Sequence, residues 1–344
     1  MINNIELYKN NIKKAVNEKE YQRLKNQSVL ITGANGMIGS AVVDVLNYLN
    51  EGFNYNIKIY ILVRNKNKIL ERFKTYEKIY IVEQDVINKI SLDEEIDYII
   101  HAASNAHPKM YAEDPVGTML GNFIGMNNIM EFAISHKCKK VEYISSGEVY
   151  GQAGKDVVAF DEQYMGKVDS TSPRSCYPLS KLASETLCAS YSKQYNIETV
   201  IARPCHIYGP TQTESDSRVS AQFLNNILED KDIVMKSEGL QTRSYCYVVD
   251  CATAILTILL YGQDSNAYNI SNMDSILTIR EMAEKMAKKN NKKVIFELPT
   301  EKEKSGYTPF TRAVLDNKKL QGLGWKAHWN FDDGIEQTLN IMKK

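Results

Sequence analysis

Short apolar segments rich in β-branched residues alternate with helical patterns along the first 204 residues. Segments of this kind form buried parallel strands when helices separate them, because the helices cover both faces of the sheet. The candidate strands are SVLITG, IKIYILV, IYIVEQ, IDYIIHAA, VEYISS and TVIARP. This alternation predicts an α/β fold built on a doubly wound parallel sheet.

The chain of 344 residues is long enough for about two structural units. We expect residues 1–27 to form an N-terminal helical extension, because their apolar residues recur near a helical period. Residues 28–204 then form mainly the nucleotide-binding sheet, and residues 205–344 mainly a smaller substrate-binding lobe. Segments 210–245 and 262–320 look like parts of this smaller lobe, with polar loops rich in Ser, Thr and Asp. Since no Pro/Gly linker separates the units, we expect them to interleave around one cleft.

Charge and composition exclude several partners. Lysine plus arginine total 42 and aspartate plus glutamate total 42, and this balance argues against a nucleic-acid surface. No apolar run approaches the roughly 18 residues that span a bilayer, and the polar N-terminal sequence lacks the apolar region of a signal peptide. The six cysteines show no metal-ligand spacing, so we expect reduced, buried thiols and no metal. These features predict a cytoplasmic protein without nucleic-acid or membrane partners.

A glycine-rich turn, TGANGMIG (32–39), lies between the first strand and the helix that follows it. Glycines in such a turn let the backbone approach a pyrophosphate, and the amides at the helix N-terminus attract its negative charge. In this strand–turn–helix context the pattern predicts dinucleotide binding on a Rossmann-type sheet. The predicted contacts in the loop are Gly33, Asn35, Gly36, Met37, Ile38 and Gly39.

Basic and amide side chains follow the second strand, where an acidic residue would bind the ribose 2′-hydroxyl of NAD. Arg64 and Asn65 occupy this place, and a guanidinium suits a 2′-phosphate instead. The sequence therefore favours NADP(H), with NAD(H) possible. Asp85, at the end of the third strand, is a candidate contact for the adenine.

Tyr177 and Lys181 form a YxxxK pattern, whose spacing puts both side chains on one face of a helix. An ammonium lowers the pKa of a nearby phenol, so Tyr177 is predicted to exchange a proton near neutral pH. The same spacing from Tyr21 to Lys25 precedes the first strand, and we interpret it as accidental. Ser146 follows the fifth strand and is a candidate hydrogen-bond donor to a substrate oxygen beside Tyr177.

Together these segments resemble the extended short-chain dehydrogenase/reductases, the family of sugar-nucleotide epimerases and dehydratases, over about residues 28–340. Further resembling segments are HAAS (101–104), DP (114–115), NxxG (122–125), SSGEVYG (145–151) and RPCHIYGP (203–210). The resemblance implies a nucleoside-diphosphate-sugar substrate and a homodimer formed through helices around 116–135 and 177–194. The cofactor contacts that it implies are Val86, Ala102, Ala103, Ser104, Asn122, Tyr177, Lys181 and Pro204.

Within this family the chain looks most like the UDP-glucuronate decarboxylases. The segments that carry this likeness are HAASNAHPKMYAEDP (101–115), PRSCY (173–177), SRVSAQFL (217–224) and QTRSYCYVVD (241–250). The resemblance implies that Arg218 and Arg243, together with Arg312, grip the substrate's diphosphate, a task that suits the bidentate guanidinium. The other implied substrate contacts are Tyr111, Arg174 and His206.

Gly147 departs from the family pattern, because dehydratases carry Asp or Ser there and decarboxylases carry Ser. Glycine cannot protonate a leaving group, although Glu148 remains as a candidate catalytic base or substrate-orienting group. Arg64 also replaces the acidic residue typical of members that retain NAD. Since a retained cofactor returns its hydride, an NADP preference fits net reduction. The chain also resembles reductases that convert CDP-linked ketoses to CDP-alditols for surface polysaccharides such as capsule, and we favour this activity.

Two other classes of function stay open at this point. One is redox-neutral chemistry with a recycled cofactor, by a nucleotide-sugar 4-epimerase, a UDP-glucuronate decarboxylase or a 4,6-dehydratase. The other is a non-catalytic NADP-binding module. Such modules commonly lose the tyrosine or the lysine, and here Ser146, Tyr177 and Lys181 are all present.

Overall fold

The computed structural model describes residues 2–154, 156–297, 299 and 311–343. Its strands are β1 (Ser28–Thr32), β2 (Lys58–Val63), β3 (Ile79–Glu83), β4 (Tyr98–His101), β5 (Lys140–Ile144), β6 (Glu198–Pro204), β7 (His206–Tyr208), β8 (Ile233–Met235), β9 (Thr242–Tyr247), β10 (Asn266–Ile270), β11 (Asn272–Thr278), β12 (Val294–Phe296) and β13 (Arg312–Ala313). Its α-helices are α1 (Ile5–Ala15), α2 (Met37–Phe53), α3 (Asn67–Phe73), α4 (Pro108–Glu113), α5 (Pro115–Ser135), α6 (Cys176–Tyr195), α7 (Val219–Leu228), α8 (Val248–Tyr261), α9 (Ile279–Lys289), α10 (Lys318–Gln321) and α11 (Phe331–Met342). Short 3₁₀ helices span Glu18–Leu24, Gly147–Tyr150 and Pro173–Ser175.

A seven-stranded parallel sheet forms the central layer, in the order β10–β6–β5–β4–β1–β2–β3. Strand β1 pairs with β2 on one side and with β4 on the other, so the direction of winding reverses between β1 and β4. Such a reversal opens a crevice at the carboxyl ends of the strands, where ligands of doubly wound folds bind. The predicted fold class is confirmed.

Alternate residues of each strand enter different cores. Val29 and Ile31 of β1 pack in the core that contains the apolar residues of α2 and α8. Leu30, between them, packs in the second core, with residues of α5 and α6. Helices therefore cover both faces of the sheet, which explains why its strands are apolar on both sides.

Strand β10 lies at the edge of the central sheet, although the sequence interpretation assigned 262–320 to the smaller lobe. That assignment is wrong for Asn266–Ile270, which pairs in parallel with residues 200–204 of β6. The smaller lobe contains a sheet of β7, β9, β11 and β13 and a β8–β12 pair. The chain crosses from the central sheet to this lobe at Cys205, between β6 and β7.

Helix α1 of the N-terminal extension contacts both α2, which packs on the central sheet, and β9 of the smaller lobe. The Tyr8 hydroxyl donates to Asp44 Oδ2 of α2 at 2.8 Å. The hydroxyl of Tyr247, at the end of β9, donates to Asn11 Oδ1 at 3.0 Å, and this bond is buried. These two bonds pack helix α1 against both α2 and β9.

Membrane-spanning helices and metal-binding clusters are both absent from the described residues. No helix among them combines the length and apolarity that crossing a membrane requires. No group of three or more His, Cys, Asp or Glu side chains among them is placed to hold a metal ion. The six cysteines are free thiols, and all but Cys205 are buried.

Candidate active site

A cavity of about 570 Å³ lies at the carboxyl ends of the central strands, between them and the smaller lobe. The predicted site residues that line it are Gly33, Gly36, Met37, Ile38, Gly39, Ala102, Ser104, Tyr111, Ser146, Glu148, Tyr177, Lys181, Pro204, His206, Arg218 and Arg243. Within the described part of the chain, the predicted residues that are not in its lining are Asn35, Arg64, Asn65, Asp85, Val86, Ala103, Asn122, Arg174 and Arg312.

The glycine loop fits the approach of a pyrophosphate. Gly33 has φ of +72°, and a β-carbon there would stand 2.7 Å from the backbone carbon of Ala102. A β-carbon on Gly39 would stand 2.4 Å from the Gly33 carbonyl oxygen. Gly36, the N-cap of α2, leaves the helix N-terminus uncovered by a side chain. This cradle can hold the diphosphate of a dinucleotide against backbone amides.

The turn after β2 presents Arg64 and Asn65 as exposed side chains. A carboxylate that the sequence interpretation missed, Glu83 at the end of β3, accepts a hydrogen bond from the Lys66 backbone N–H at 3.1 Å. It also pairs with the Lys66 ammonium at 3.5 Å. The register of β2 against β3, which sets Val63 opposite Glu83, produces this contact.

Asn122 supports the wall of the cavity from behind. Its Oδ1 accepts from Ser104 Oγ at 2.7 Å, and its Nδ2 donates to Ser180 Oγ of α6 at 2.9 Å. The Ala103 N–H donates to Thr32 Oγ1 at 3.1 Å. These bonds tie the end of β4 to β1 and join α5 to α6.

Of the two remaining cofactor candidates, Asp85 is partly exposed after β3. Val86 is buried, and its carbonyl accepts from Asn128 Nδ2 at 2.8 Å.

Ser146, Tyr177 and Lys181 come together at the floor of the cavity. Ser146 follows β5 and lies beside Tyr177 in the lining of the cavity. Lys181 Nζ lies 5.7 Å from the centroid of the Tyr177 ring and donates to the Ile144 carbonyl at 2.8 Å. The helical spacing of YxxxK and the position of Ser146 at the strand end produce this cluster.

The prediction that Lys181 lowers the pKa of Tyr177 is wrong. Burial, followed by the charge of Glu148, raises the pKa of Tyr177 to about 12, although the nearby Ser146 hydroxyl opposes this. Burial also lowers the pKa of Lys181 to about 7, against the attraction of Glu185. The Tyr177 phenol therefore keeps its proton at neutral pH and is available as a donor.

A buried ion pair beneath this cluster was missed from the sequence. Glu185 Oε2 accepts from Arg203 Nη2 at 2.6 Å, and Glu185 Oε1 accepts from Ser145 Oγ at 2.5 Å. Glu185 stands four residues after Lys181, one helical turn away, so its spacing was the available signal. The pair fixes the end of β5 against α6.

Arg243 and His206 form a pair in the smaller lobe. Arg243 Nη1 donates to His206 Nε2 at 2.8 Å. Burial and the charge of Arg243 lower the pKa of His206 well below its usual value, so the ring is neutral. On this assignment the ring proton is on Nδ1. The imidazole therefore orients the guanidinium at the cavity wall.

Arg218 stands at the phosphate loop rather than in the smaller lobe's interior. Its Nη2 donates to Asp216 Oδ2 at 2.5 Å and contacts Met37 Sδ at 3.5 Å. Asp216, which was missed from the sequence, is also 3.4 Å from His107 Nδ1. Arg312 does not join this group, since its Nη1 donates to the Val158 carbonyl at 3.3 Å.

Glu148 is contacted by two of the predicted substrate-binding residues. Arg174 Nη2 lies 3.0 Å from Glu148 Oε2, and the Tyr111 hydroxyl donates to Glu148 Oε1 at 3.4 Å. Arg174 thus directs its charge at a carboxylate of the site.

A parallel sheet with a glycine-rich phosphate cradle and a Ser–Tyr–Lys cluster at one cavity defines the short-chain dehydrogenase/reductase class of nucleotide-dependent enzymes. A model of the NAD dependent epimerase/dehydratase family matches residues 29–271. The chain belongs to this family, in its extended nucleotide-sugar branch.

Curated relatives in the family carry several activities. The chain is 30% identical to UDP-glucuronic acid decarboxylase 5 of Arabidopsis thaliana, over 90% of this chain and 87% of that protein. It is 28% identical to a dTDP-D-glucose 4,6-dehydratase of Dictyostelium discoideum, over 91% and 80%. Both relatives act on nucleotide sugars.

Solved structures share the fold. A UDP-glucose 4-epimerase from Thermotoga maritima, solved with UDP-glucose, superposes with a TM-score of 0.79 at 22% identity, covering 92% of this chain and 98% of that one. A dTDP-glucose 4,6-dehydratase from Streptomyces venezuelae, solved with NAD, gives 0.77 at 23% identity, covering 91% and 96%.

Proposed function

We propose that this enzyme reduces a nucleoside-diphosphate-linked ketose, and we favour a CDP-linked ketose converted to an alditol for a surface polysaccharide. One observation carries the proposal: Ser146 and Tyr177 are the hydroxyl groups of the cluster, and the residue beside Ser146 is a glycine covered by Leu315. A carbonyl reduction needs one proton donor, whereas a dehydration also needs a group that protonates a leaving hydroxyl.

The residues of the cavity divide the work. Ser146 and Tyr177 hydrogen-bond the carbonyl oxygen and stabilise the negative charge that develops on it. Tyr177 then donates its proton to that oxygen. A nicotinamide cofactor, when bound, supplies the hydride, and the glycine loop with Lys181 would hold it. Arg218 and Arg243 face the cavity and hold the substrate's diphosphate.

We further propose that the enzyme uses NADPH and acts in the cytoplasm. Arg64 is exposed after β2 and favours NADPH, because a guanidinium binds a 2′-phosphate well. We place the enzyme in the cytoplasm, where NADPH and sugar nucleotides are available.

We also propose a homodimer. The outer face of α5 exposes Val116, Met119, Leu120, Phe123 and Ile124, and an apolar patch of this kind commonly marks an interface between proteins.

Redox-neutral chemistry is the second candidate. Glu148 lines the cavity, where a carboxylate can act as a base, and the decarboxylase relatives match nearly the whole chain. A 4-epimerase, decarboxylase or 4,6-dehydratase would return the hydride and consume no external cofactor.

One screen separates these candidates. Purified protein is incubated with CDP-, UDP-, GDP- and dTDP-linked sugars, including CDP-ketoses, with NADPH, with NADH and without added cofactor. Loss of absorbance at 340 nm in proportion to product supports the reductase. Product formed without added cofactor contradicts it and identifies redox-neutral chemistry.

A further inference from the structure

Three side chains form a column that ends on Tyr177. The guanidinium carbon of Arg174 lies 4.5 Å from the centroid of the Tyr111 ring. The Tyr111 and Tyr177 rings are nearly parallel, at 22°, with centroids 5.2 Å apart. Tyr111 is only 2% exposed, so it is held between the cation and the candidate proton donor.

Glu148 contacts two members of this column, Arg174 and Tyr111. Arg174 Nη2 contacts both carboxylate oxygens, at 3.0 Å and 3.3 Å, and the Tyr111 hydroxyl donates to Oε1 at 3.4 Å. Cys176 Sγ also approaches the Tyr111 carbonyl at 3.7 Å. These contacts fix the Arg174 guanidinium and the Tyr111 ring in one arrangement.

We propose that Arg174 is a positioning residue for Tyr177, which holds the Tyr111 ring against the Tyr177 ring and neutralises Glu148 beside it. This replaces the substrate contact expected from the sequence, since Arg174 faces Glu148 and Tyr111 and, among the described residues, is outside the cavity lining. The inference rests on the proposed role of Tyr177 as proton donor.

Electrostatics gives the physical reason. When Tyr177 donates its proton, a phenolate forms, and a bare carboxylate nearby would raise the cost of that charge. Arg174 offsets Glu148 and also attracts the phenolate through the column. Several titratable or charged groups act on Tyr177 or lie against it, together with the Ser146 hydroxyl: Glu148, Arg174, Arg218, Lys181, Tyr111, Tyr143 and Cys176.

Steady-state kinetics of Arg174→Met tests the proposal, with Arg280→Met as the matched control, because Arg280 pairs with Glu284 on the surface of α9. We expect kcat of Arg174→Met to fall about tenfold or more, a loss of about 1.4 kcal/mol, with KM for the sugar nucleotide within about threefold. Arg174→Lys, which keeps the charge, should recover part of kcat. A tenfold rise in KM at unchanged kcat would show a substrate ligand and overturn the proposal.

A double-mutant cycle tests the charge effect. Because part of the effect of Arg174 comes from offsetting Glu148, Arg174→Met should lower kcat by a smaller factor in the Glu148→Gln background than in the wild type. Independent, additive losses would contradict the coupling.

A spectroscopic readout needs no substrate. The protein is labelled with ¹³C-tyrosine, and the NMR signal of the Tyr177 ring is assigned as the one that disappears in Tyr177→Phe. We expect the chemical shift of this signal to change in Arg174→Met and to stay the same in Arg280→Met. An unmoved signal would refute the column. Wild-type protein that turns over no sugar nucleotide would instead contradict the proposed function, and the spectrum would still decide the column.

Discussion

Leu315 covers Gly147 at the reacting end of the cavity. A β-carbon on Gly147 would stand 3.1 Å from Leu315 Cδ1 and 3.4 Å from the Pro204 carbonyl oxygen. The Leu315 backbone is fixed on both sides, because its N–H donates to Ser244 Oγ and its carbonyl accepts from Ser271 Oγ at 2.7 Å. Leu315 therefore occupies the space that a side chain at position 147 would need.

Gly147→Ala should destabilise the fold by about 1–3 kcal/mol, because an added methyl overpacks a filled site. Urea denaturation measures this. Gly121→Ala on α5 is the control, since a β-carbon there meets nothing within 4 Å. Equal stability of Gly147→Ala and the wild type would mean that Leu315 has room to move.

Tyr177→Phe should reduce turnover by about 10²–10⁴-fold, the usual contribution of a general acid, and leave binding of the cofactor within about threefold. The phenyl ring can keep the stack with Tyr111 but lacks the hydroxyl that donates the proton and hydrogen-bonds the carbonyl oxygen. Absorbance at 340 nm and cofactor fluorescence report the two quantities. Turnover equal to that of the wild type would exclude Tyr177 as the donor.

Glu142 in β5 is fully buried, and neither carboxylate oxygen has a hydrogen-bond partner among the described residues. Burial raises its pKa well above the usual value, with Lys140 opposing. A raised pKa in the folded state means that stability is lost as pH rises from the unfolded pKa toward the folded one. The wild type should therefore gain stability on acidification at this site.

Glu142→Gln should remove this pH dependence and be more stable than the wild type at pH 8, by about 1–3 kcal/mol. At pH 4.5 the two proteins should differ less. Thermal unfolding of both at the two pH values checks the prediction, and a difference that grows on acidification would contradict it.

Arg64→Glu should shift the preference from NADPH toward NADH by about tenfold or more, because the exposed guanidinium is exchanged for a carboxylate that repels a 2′-phosphate and accepts from a ribose hydroxyl. Titration of each dinucleotide by fluorescence gives the ratio of the two Kd values. Arg280→Glu serves as the control for the change in net charge. A wild type that binds NADH much more tightly than NADPH would already refute the role given to Arg64.

Phe123→Glu should convert the proposed homodimer to monomers, because Phe123 is 44% exposed on the apolar face of α5, beside Leu120 at 49%. Val158→Glu is the control, since Val158 is more exposed and lies on a different segment. Light scattering after size exclusion measures the mass. A wild-type monomer would rule out the dimer.

Six of the seven strands of the central sheet were predictable because each is a local apolar run. Strand β10 was not, since asparagines at the first and fourth places interrupt the apolar run of NAYNI, and the strand joins the sheet by pairing with β6. The phosphate loop and the YxxxK pair were equally local signals. Both depend on spacing within one turn or one helix.

Long-range contacts determined the rest of the site. The direction of Arg174 toward Glu148 depends on a 3₁₀ turn meeting the end of β5, and no spacing in the sequence reports that approach. The high pKa of Tyr177 follows from burial by distant segments. Arg312, although adjacent to residues of the cavity, points to a carbonyl outside it.

Helix α1 has a mechanical consequence for two parts of the cavity. It joins α2, which begins at the phosphate loop, to β9, which carries Arg243, through the Tyr8–Asp44 and Tyr247–Asn11 hydrogen bonds. Moving α2 away from β9 would break at least one of these two hydrogen bonds, at a cost of about 0.5–1.5 kcal/mol. Helix α1 therefore couples the helix that begins at the phosphate loop to the strand that carries Arg243, so a shift of one should be transmitted to the other.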